Sequence, residues 1–254
     1  MSLPAENYIR TFFNKFYWRQ HPEAALRYYP VVKAIKKLNL EDSKILEVGP
    51  GSLGIIPYLK REIDGVDVDF SGPKTKLLNK IKGKANNLPF AKNAYDVAIF
   101  VDVLEHLRKE ERQDAIYEIL RVTKRLVVIV VPVGELAQEQ DKKLDEYFFK
   151  KFGRRNQYLE EHVSNGLPKT EEVLVFIDQS LRKLNKKAKV ESFPNLNLFV
   201  REILMKTWIT KSKFSYYLYL KGYLLFLPFL KLLNFGNCYR RVFVIELAPN
   251  QISN

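Results

Sequence analysis

Short apolar runs that end in an aspartate, a glycine or a proline recur through the first half of the chain. The clearest are residues 45–48, a run ending at Asp67, residues 97–101, and residues 126–131 before Pro132. Near-continuous apolar segments of this length are typical of strands buried on both faces of a parallel sheet. Helical periodicity between them, as over residues 110–123, predicts an α/β fold.

Amphipathic patterns near the start of the chain predict additional helices. Residues 8–29 have the pattern of one or two amphipathic helices, and a further helix over residues 31–38 is predicted to begin at Pro30. Proline is tolerated at an early helical position, because its missing N–H would be unpaired there in any case. We expect these helices to cover the pocket beyond the first strand.

A glycine-rich turn follows the first strand directly and reads Gly49-Pro50-Gly51-Ser52-Leu53-Gly54. Open parallel sheets bind ligands beyond the carboxyl ends of their strands, and glycine lets the backbone approach a ligand closely. The turn therefore predicts a small-molecule site. Its spacing also satisfies the G-x-G-x-x-G pattern of dinucleotide-binding folds, with Asp67 at about the right distance, so the glycines alone leave the cofactor open.

Glu47, inside the first strand, discriminates between the two kinds of cofactor. A buried carboxylate is costly unless it is paired, and it would repel a diphosphate beside it. The ammonium group of a methionine-type ligand would pair with it, which favours S-adenosylmethionine over a nicotinamide dinucleotide. The alternative is that Glu47 only caps the helix that follows the turn.

Four blocks between residues 45 and 132 resemble the class I S-adenosylmethionine-dependent methyltransferases, most closely their type 11 group. They are Ile45-Leu46-Glu47-Val48-Gly49-Pro50-Gly51, then Gly65-Val66-Asp67-Val68, then Asn87-Leu88-Pro89-Phe90 with Tyr95-Asp96-Val97-Ala98, and Asp102-Val103-Leu104-Glu105-His106-Leu107. The resemblance implies a Rossmann-like, seven-stranded, mostly parallel sheet with helices on both faces and a helical insert or lid. Its last strands would be residues 187–193 and, antiparallel, residues 241–247.

The resemblance also implies which positions bind the cofactor. Glu47, Gly49 and Gly51 belong to the loop around it, and Asp102 or the backbone at Val103 lies near its methionine part. Asp67, with Val68 beside it, would bind the ribose, since a carboxylate at a strand end can accept both hydroxyls; a turn-forming role beside Asp69 is the alternative.

Asn87 and Leu88 contribute an amide and an apolar wall of the kind that a purine needs. Two departures from the family pattern affect this region. Lys84 stands in Gly83-Lys84-Ala85 where the family has an acidic residue that accepts the adenine amino group, and lysine cannot accept that bond. Asn86, Asn87 or backbone atoms near Ala85 must then do so. Leu53 also stands where the family commonly has its third glycine.

No catalytic group is specified by the pattern. His106 and His162 are candidates for a general base, because an unperturbed histidine titrates near neutral pH. The alternative for His106 is a structural pair with Glu105, and a histidine at a helix end such as His162 is more often structural. In-line transfer of the sulfonium methyl to oxygen, nitrogen or carbon can rely on proximity alone. Three scattered histidines and one cysteine predict neither a metal-ligand cluster nor a disulfide.

Length and composition favour one domain. The 254 residues are 46% hydrophobic, enough for one substantial core. Within that domain we predict N-terminal helices over residues 1–40, a cofactor-binding core over 41–132, a substrate-recognition insert over 133–186, and the last strands over 187–254. The first residues show no basic-then-apolar signal segment, so we expect a cytoplasmic protein, with a peripheral position on the inner face of the membrane as a further expectation.

Positive charge is concentrated near the C-terminus. The formal net charge is +13, and residues 180–241 hold thirteen lysines and arginines against Glu191 and Glu202. The same stretch contains many tyrosines and phenylalanines around an unbroken apolar run over residues 223–230. That run is far short of the ~20 residues that cross a membrane.

The basic aromatic segment over residues 196–238 has three interpretations. It could be helices packed on the domain, an interfacial segment that docks on anionic lipid and presents a lipid-linked acceptor, or an RNA-binding surface. RNA is disfavoured because a polar ligand has no use for eight consecutive apolar residues. The predicted function is methyl transfer to a small-molecule, glycan or lipid-linked acceptor; the alternatives are an RNA methyltransferase and a non-catalytic cofactor-binding subunit. The oligomeric state is left open.

Overall fold

The computed structural model describes residues 21–70, 75–230 and 232–249. Its centre is a seven-stranded sheet in the order β3-β2-β1-β4-β5-β7-β6. The strands are β1 (Ile45–Val48), β2 (Ile63–Asp67), β3 (Leu78–Lys82), β4 (Tyr95–Val101), β5 (Thr123–Pro132), β6 (Ala188–Asn197) and β7 (Cys238–Leu247). The predicted sheet is confirmed, and several strands are longer than the apolar runs alone indicate.

Strand direction follows the predicted pattern. Strands β1 to β5 pair in parallel, while β7 lies antiparallel to both β5 and β6. Strand β6 therefore runs in the same direction as β5. The last residues of β6 and the first residues of β7 therefore lie at the carboxyl edge of the sheet, the edge at which the parallel strands end.

Nine α-helices flank the sheet in the described part of the chain. They are α1 (Pro22–Lys37), α2 (Ile56–Leu59), α3 (Lys109–Val122), α4 (Glu135–Phe152), α5 (Gln157–Asn165), α6 (Thr170–Lys183), α7 (Leu198–Trp208), α8 (Lys213–Leu220) and α9 (Leu227–Leu230). Short 3₁₀ helices cover Leu104–His106 and Gly222–Phe226.

Alternate residues of the central strands pack into two apolar layers. On one face, Val97 and Ile99 of β4 pack with Ile35 of α1. On the other, Ala98 and Phe100 pack with residues of α3 and α6. Because both faces are covered, β1, β4 and β5 are apolar almost throughout, which is why they could be predicted from the sequence.

Helix α1 corrects one prediction. Pro30 does not begin a helix but lies inside α1. Proline within a helix removes the hydrogen bond to the carbonyl four residues earlier. Here the amide of Asn195 donates to that carbonyl, of Leu26, at 3.3 Å, so a tertiary contact from β6 replaces the lost bond. The predicted helical residues before position 21 lie outside the described residues.

The segment between β6 and β7 begins and ends at the carboxyl edge. It contains α7, α8, the second 3₁₀ helix and α9, and Leu196, Val200, Leu204 and Tyr219 form a small core of their own with Leu26 of α1. Searching the described residues for a helix long and apolar enough to cross a membrane finds none.

Candidate cofactor and acceptor site

The glycine turn after β1 adopts a conformation that requires glycine. Gly49, Gly51 and Gly54 all have positive φ angles, between 53° and 71°. A Cβ on Gly54 would lie 2.1 Å from Oε2 of Glu47, and one on Gly49 would lie 2.5 Å from a methyl of Val103. At Gly51 it would meet no atom of the described residues within 4 Å. The turn is therefore packed at both ends and open in the middle, where a ligand could approach the backbone.

Glu47 is fully buried beneath this turn. Its Oε1 accepts a hydrogen bond from the hydroxyl of Tyr28 at 2.7 Å, and its Oε2 accepts one from the N–H of Ile55 at 2.8 Å. Burial raises the pKa of Glu47 to about 7 in spite of these bonds. The bond from Ile55 agrees with the alternative interpretation of Glu47, in which it caps the helix after the turn. Pairing of Glu47 with an ammonium group of the cofactor stays a prediction.

Asp67 connects the end of β2 with the glycine turn after β1. It ends β2, and its Oδ2 accepts a hydrogen bond from the N–H of Gly51 at 3.1 Å. Among the described residues, its Oδ1 has only a 3.4 Å contact, with the N–H of Asp69. A carboxylate offers four lone pairs, so capacity for ribose hydroxyls remains. Val68 is exposed next to it and offers an apolar surface at the same edge.

Asn87 and Leu88 differ in their accessibility. Asn87 is exposed, whereas the Leu88 side chain is buried in the core and its N–H donates to Glu118 at 2.7 Å. The side-chain nitrogen of Asn86 donates to Glu111 at 3.1 Å. That bond orients the amide of Asn86, whose oxygen is one of the two predicted acceptors for an adenine amino group.

Asp102 belongs to a buried ion network that sequence reasoning missed. Its carboxylate accepts hydrogen bonds from Arg27 of α1 at 2.7 Å and from Arg240 of β7 at 2.7 and 2.6 Å. Arg240 also pairs with Glu23. Burial alone would raise the pKa of Asp102, but Arg240 and Arg27 hold it below its ordinary value. The network fixes α1 and β7 against the residue expected near the methionine part of the cofactor.

His106 and His162 come together with Glu105, against the prediction that the histidines are scattered. Metal-binding atoms of these three residues lie within 4.8 Å of one another, and the two imidazole rings are 4.9 Å apart between centroids. The prediction of no metal-ligand cluster is therefore wrong in its geometry. It failed because α5, which carries His162, packs on the 3₁₀ helix of Glu105 and His106 only in the folded chain.

The protonation of this cluster differs from that of free side chains. Burial, together with the charge of Asp102, raises the pKa of Glu105 well above its ordinary value. Burial and the neighbouring His162 lower the pKa of His106. Both shifts favour the uncharged forms of Glu105 and His106. The imidazoles of His106 and His162 offer nitrogen atoms that could bind a metal.

The donor set at the carboxyl edge fits S-adenosylmethionine. The open face at Gly51, the spare lone pairs of Asp67 and the exposed apolar side chain of Val68 suit a nucleoside, and the carboxylate beneath the turn suits a cation. A surface depression of about 670 Å³ instead lies around Leu40, Arg125 and Glu246, at the opposite edge of the sheet. It contains none of the turn residues, so we do not assign the cofactor to it.

Comparison with known proteins agrees with this arrangement. Residues 46–131 match the type 11 family model described as a methyltransferase domain. Magnesium protoporphyrin IX methyltransferase from Synechocystis with bound SAH has a similar fold, with a TM-score of 0.50 at 14% identity over 89% of this chain and 83% of that one. The structure of the complex between the Haloferax volcanii Trm112 methyltransferase activator and a methyltransferase contains a chain with a similar fold. Its TM-score is 0.50 at 13% identity, over 88% of this chain and 91% of that one.

An S-adenosylmethionine-dependent methyltransferase of Thermotoga maritima aligns over 95% of both chains at 17% identity, with a TM-score of 0.49. No protein of curated function matches the sequence. The match shows that the chain carries a methyltransferase domain of the class that uses S-adenosylmethionine as its cofactor. Residues 46–131, which contain β1 to β5 almost entirely, carry the type 11 methyltransferase domain.

Proposed function

We propose that this methyltransferase acts on an amphiphilic, membrane-associated acceptor and docks on anionic lipid through the segment between β6 and β7. The observation that carries the proposal is an exposed set of large apolar side chains on that segment, at the same sheet edge as the glycine turn. The set, here called the aromatic face, comprises Phe199, Ile203, Phe214, Tyr216, Tyr217, Leu225, Phe226, Phe229, Leu232 and Phe235.

The segment has an inner and an outer side with different roles. Inside, Val200, Leu204, Tyr219 and Leu224 are buried, as expected of helices packed on a domain. Outside, Phe214, Phe229 and Leu232 are 77%, 67% and 70% exposed. A segment that served only as core would have polar residues outside. Several large apolar side chains exposed on one segment of this kind instead indicate a site of interaction with a partner or a membrane.

Positive charge accompanies the aromatic face. Lys206, Lys211 and Lys213 are exposed on or beside α7 and α8. Each lysine near an anionic bilayer contributes roughly 1 kcal/mol of attraction, and aromatic rings favour the level of the lipid headgroups. Because the face lies at the carboxyl edge, docking would bring a lipid-linked acceptor to the side of the sheet where the cofactor binds.

Flotation with liposomes tests the proposal. The wild-type protein should float with vesicles of phosphatidylcholine and phosphatidylglycerol, and much less with phosphatidylcholine alone or at high salt. The double variant Phe226→Ser, Phe229→Ser should lose most of this binding. Val175→Ser is the matched control, because Val175 is an exposed apolar residue on α6, outside the segment.

Equal flotation of both variants and the wild type would contradict docking through the aromatic face. Salt-sensitive binding of RNA in place of vesicles would favour the RNA methyltransferase alternative, since exposed tyrosine and phenylalanine rings can also stack bases. Transfer of labelled methyl from S-adenosylmethionine into a lipid extract then identifies the acceptor. We expect label in the lipid-soluble fraction; label only in added RNA would overturn the proposal.

A further inference from the structure

Glu105, His106 and His162 meet at the carboxyl edge, directly after β4. The first two lie in the 3₁₀ helix that follows Asp102 and Val103, and the third comes from α5. Each contributes one metal-binding atom to a group whose members lie within 4.8 Å of one another. His106 is partly exposed, whereas Glu105 and His162 are buried, so the group opens to solvent on one side.

Two of the three side chains lack the partners that buried polar groups need. Glu105 is 0% exposed, and neither of its carboxylate oxygens has a hydrogen-bond partner among the described residues. Within the same part of the chain, Nε2 of the buried His162 is also without a partner. Burying such groups unpaired is costly, and an unexplained set of them in a native fold points to a ligand or ion that is not part of the chain.

Both histidines are oriented by a second carboxylate. Nδ1 of His106 lies 2.9 Å from Oε2 of Glu161, and Nδ1 of His162 lies 2.9 Å from Oδ2 of Asp141. When Nδ1–H donates to a carboxylate, the lone pair of the imidazole is on Nε2. Metal-binding histidines commonly have this arrangement, because the outer carboxylate fixes the tautomer and makes the ring a better ligand.

The outer carboxylate of His162 is itself held in place. Asp141 is fully buried and accepts hydrogen bonds from the hydroxyl of Tyr239 at 2.8 Å and from Arg201 at 2.6 Å. These bonds hold the carboxylate of Asp141 in place against the imidazole of His162.

The two backbone segments of the group are also tied together. The side-chain nitrogen of Asn165 donates to the carbonyl of His106 at 3.2 Å. Arg112 of α3 donates to the carbonyl of Leu107 at 3.3 Å and to that of Asn165 at 3.2 Å. Because these bonds fix the end of α5 against the 3₁₀ helix, the three ligating side chains need only small side-chain rotations to converge.

We propose that Glu105, His106 and His162 bind a divalent first-row transition-metal ion. Two imidazoles and one carboxylate suit Zn²⁺, Mn²⁺, Co²⁺ or Fe²⁺, whereas Mg²⁺ prefers oxygen ligands. Ligand atoms at about 2.1 Å from an ion would be about 3.4 Å apart in tetrahedral geometry, so binding draws the three side chains slightly inward. Three protein ligands leave at least one position open to another ligand.

The open position gives the metal a role that rests on the proposed function. His106 is the partly exposed member of the group, so an oxygen of the acceptor that approaches from that side could bind at the open position. A metal lowers the pKa of a bound hydroxyl, so the acceptor O–H loses its proton to water. The oxygen then forms a bond to the methyl carbon, the bond from sulfur to that carbon breaks, and its electron pair stays on sulfur, which becomes a neutral thioether.

Metal content tests the site independently of any methyl transfer. The protein is stripped with a chelator, dialysed against Mn²⁺, Co²⁺ or Zn²⁺ with Mg²⁺ for contrast, and analysed by mass spectrometry of the elements after gel filtration. We expect about one transition-metal ion per chain and little Mg²⁺. Glu105→Gln and His162→Gln should each weaken binding by ~100-fold or more, and Glu161→Gln by ~10-fold, since it only orients His106.

His21→Gln is the matched control, because His21 caps α1 and contacts Tyr219. It should bind metal as the wild type does. Two further measurements need no variant. The wild-type protein loaded with Co²⁺ should absorb visible light, and bound metal should protect His106 and His162 from modification by diethyl pyrocarbonate. Absence of retained metal in the wild type, or equal affinity in Glu105→Gln, His162→Gln and the wild type, would overturn the proposal. Cofactor, acceptor and lipid are absent throughout, so failure of the proposed function would leave these results unchanged.

Discussion

The N–H of Gly51 donates to the carboxylate of Asp67 across 3.1 Å, and this bond connects the turn after β1 with the end of β2. The two residues are 16 positions apart, but Gly51 lies in the turn that follows β1 and Asp67 ends the neighbouring parallel strand β2. Their contact holds the open middle of the turn beside the residue predicted to bind the ribose. Cofactor recognition and the shape of the turn are therefore coupled through one carboxylate.

Replacing Asp67 with alanine should abolish most cofactor binding. The variant loses two charge-assisted hydrogen bonds to the ribose, so we expect S-adenosylmethionine affinity to fall by about 100-fold, or ~2.7 kcal/mol. Titration calorimetry measures this directly. Asp69→Ala is the control, because Asp69 is exposed two residues further along and should change the affinity less than ~2-fold. Equal affinity in both variants would contradict the ribose assignment.

The glycines of the turn should respond differently to alanine. Gly54→Ala places a methyl 2.1 Å from the Glu47 carboxylate at a φ of 53°, so we expect the free energy of unfolding to fall by ~3 kcal/mol or more. Gly51→Ala meets no described atom and should cost only ~1–2 kcal/mol for its positive φ, but it should weaken cofactor binding. Urea unfolding and calorimetry separate the two effects. A larger loss of stability in Gly51→Ala would be inconsistent with this geometry.

Cofactor binding should depend on pH through Glu47. Burial raises the pKa of this carboxyl to about 7, above the ordinary value for glutamate. The native state therefore binds its proton more tightly than the unfolded state, and the contribution of Glu47 to folding stability falls as pH rises toward 7. The cationic ammonium of S-adenosylmethionine selects the ionised carboxylate, so affinity should rise between pH 5.5 and 7, by up to ~10-fold per pH unit.

Calorimetry across this pH range, in buffers of different ionisation enthalpy, would also detect the proton released on binding. Above about pH 8 the amino group of the ligand loses its own proton and the gain should end. Glu47→Gln is the control and should bind weakly, with a flat profile below pH 7. A wild-type affinity that does not change between pH 5.5 and 7 would contradict pairing of Glu47 with the ammonium group.

Local sequence predicted the cofactor side of the fold better than the acceptor side. Glu47, the turn glycines and Asp67 lie within one strand–turn–helix–strand unit, so their spacing and apolar context were enough to predict a site. The ion pair between Asp102 and Arg240 spans 138 positions and depends on β7 returning beside β5. His162 likewise reaches His106 only after α4 and α5 have folded back. Neither contact leaves a periodic pattern in the sequence.

Arg240 should be among the most stabilising charged residues of the chain. Arg240→Met leaves Asp102 and Glu23 buried without their shared guanidinium partner, and breaking such a pair costs about 3–5 kcal/mol. Arg241→Met is the control: Arg241 bonds only the Ser192 hydroxyl in the described region, at 3.3 and 3.2 Å, and its loss should cost less than ~1 kcal/mol.

The pH dependence of the Arg240 variant provides a second check. In the wild type, Arg240 and Arg27 hold the pKa of Asp102 below its ordinary value against the effect of burial, so the stability contributed by this carboxylate is present above about pH 4 and is lost as pH falls. Without Arg240, burial raises the pKa of both carboxyls. Protonation then relieves part of the penalty, and Arg240→Met should be less destabilised relative to the wild type at pH 5 than at pH 8. Urea unfolding at both pH values measures the difference, and a larger penalty at pH 5 would show that the carboxylates do not depend on Arg240.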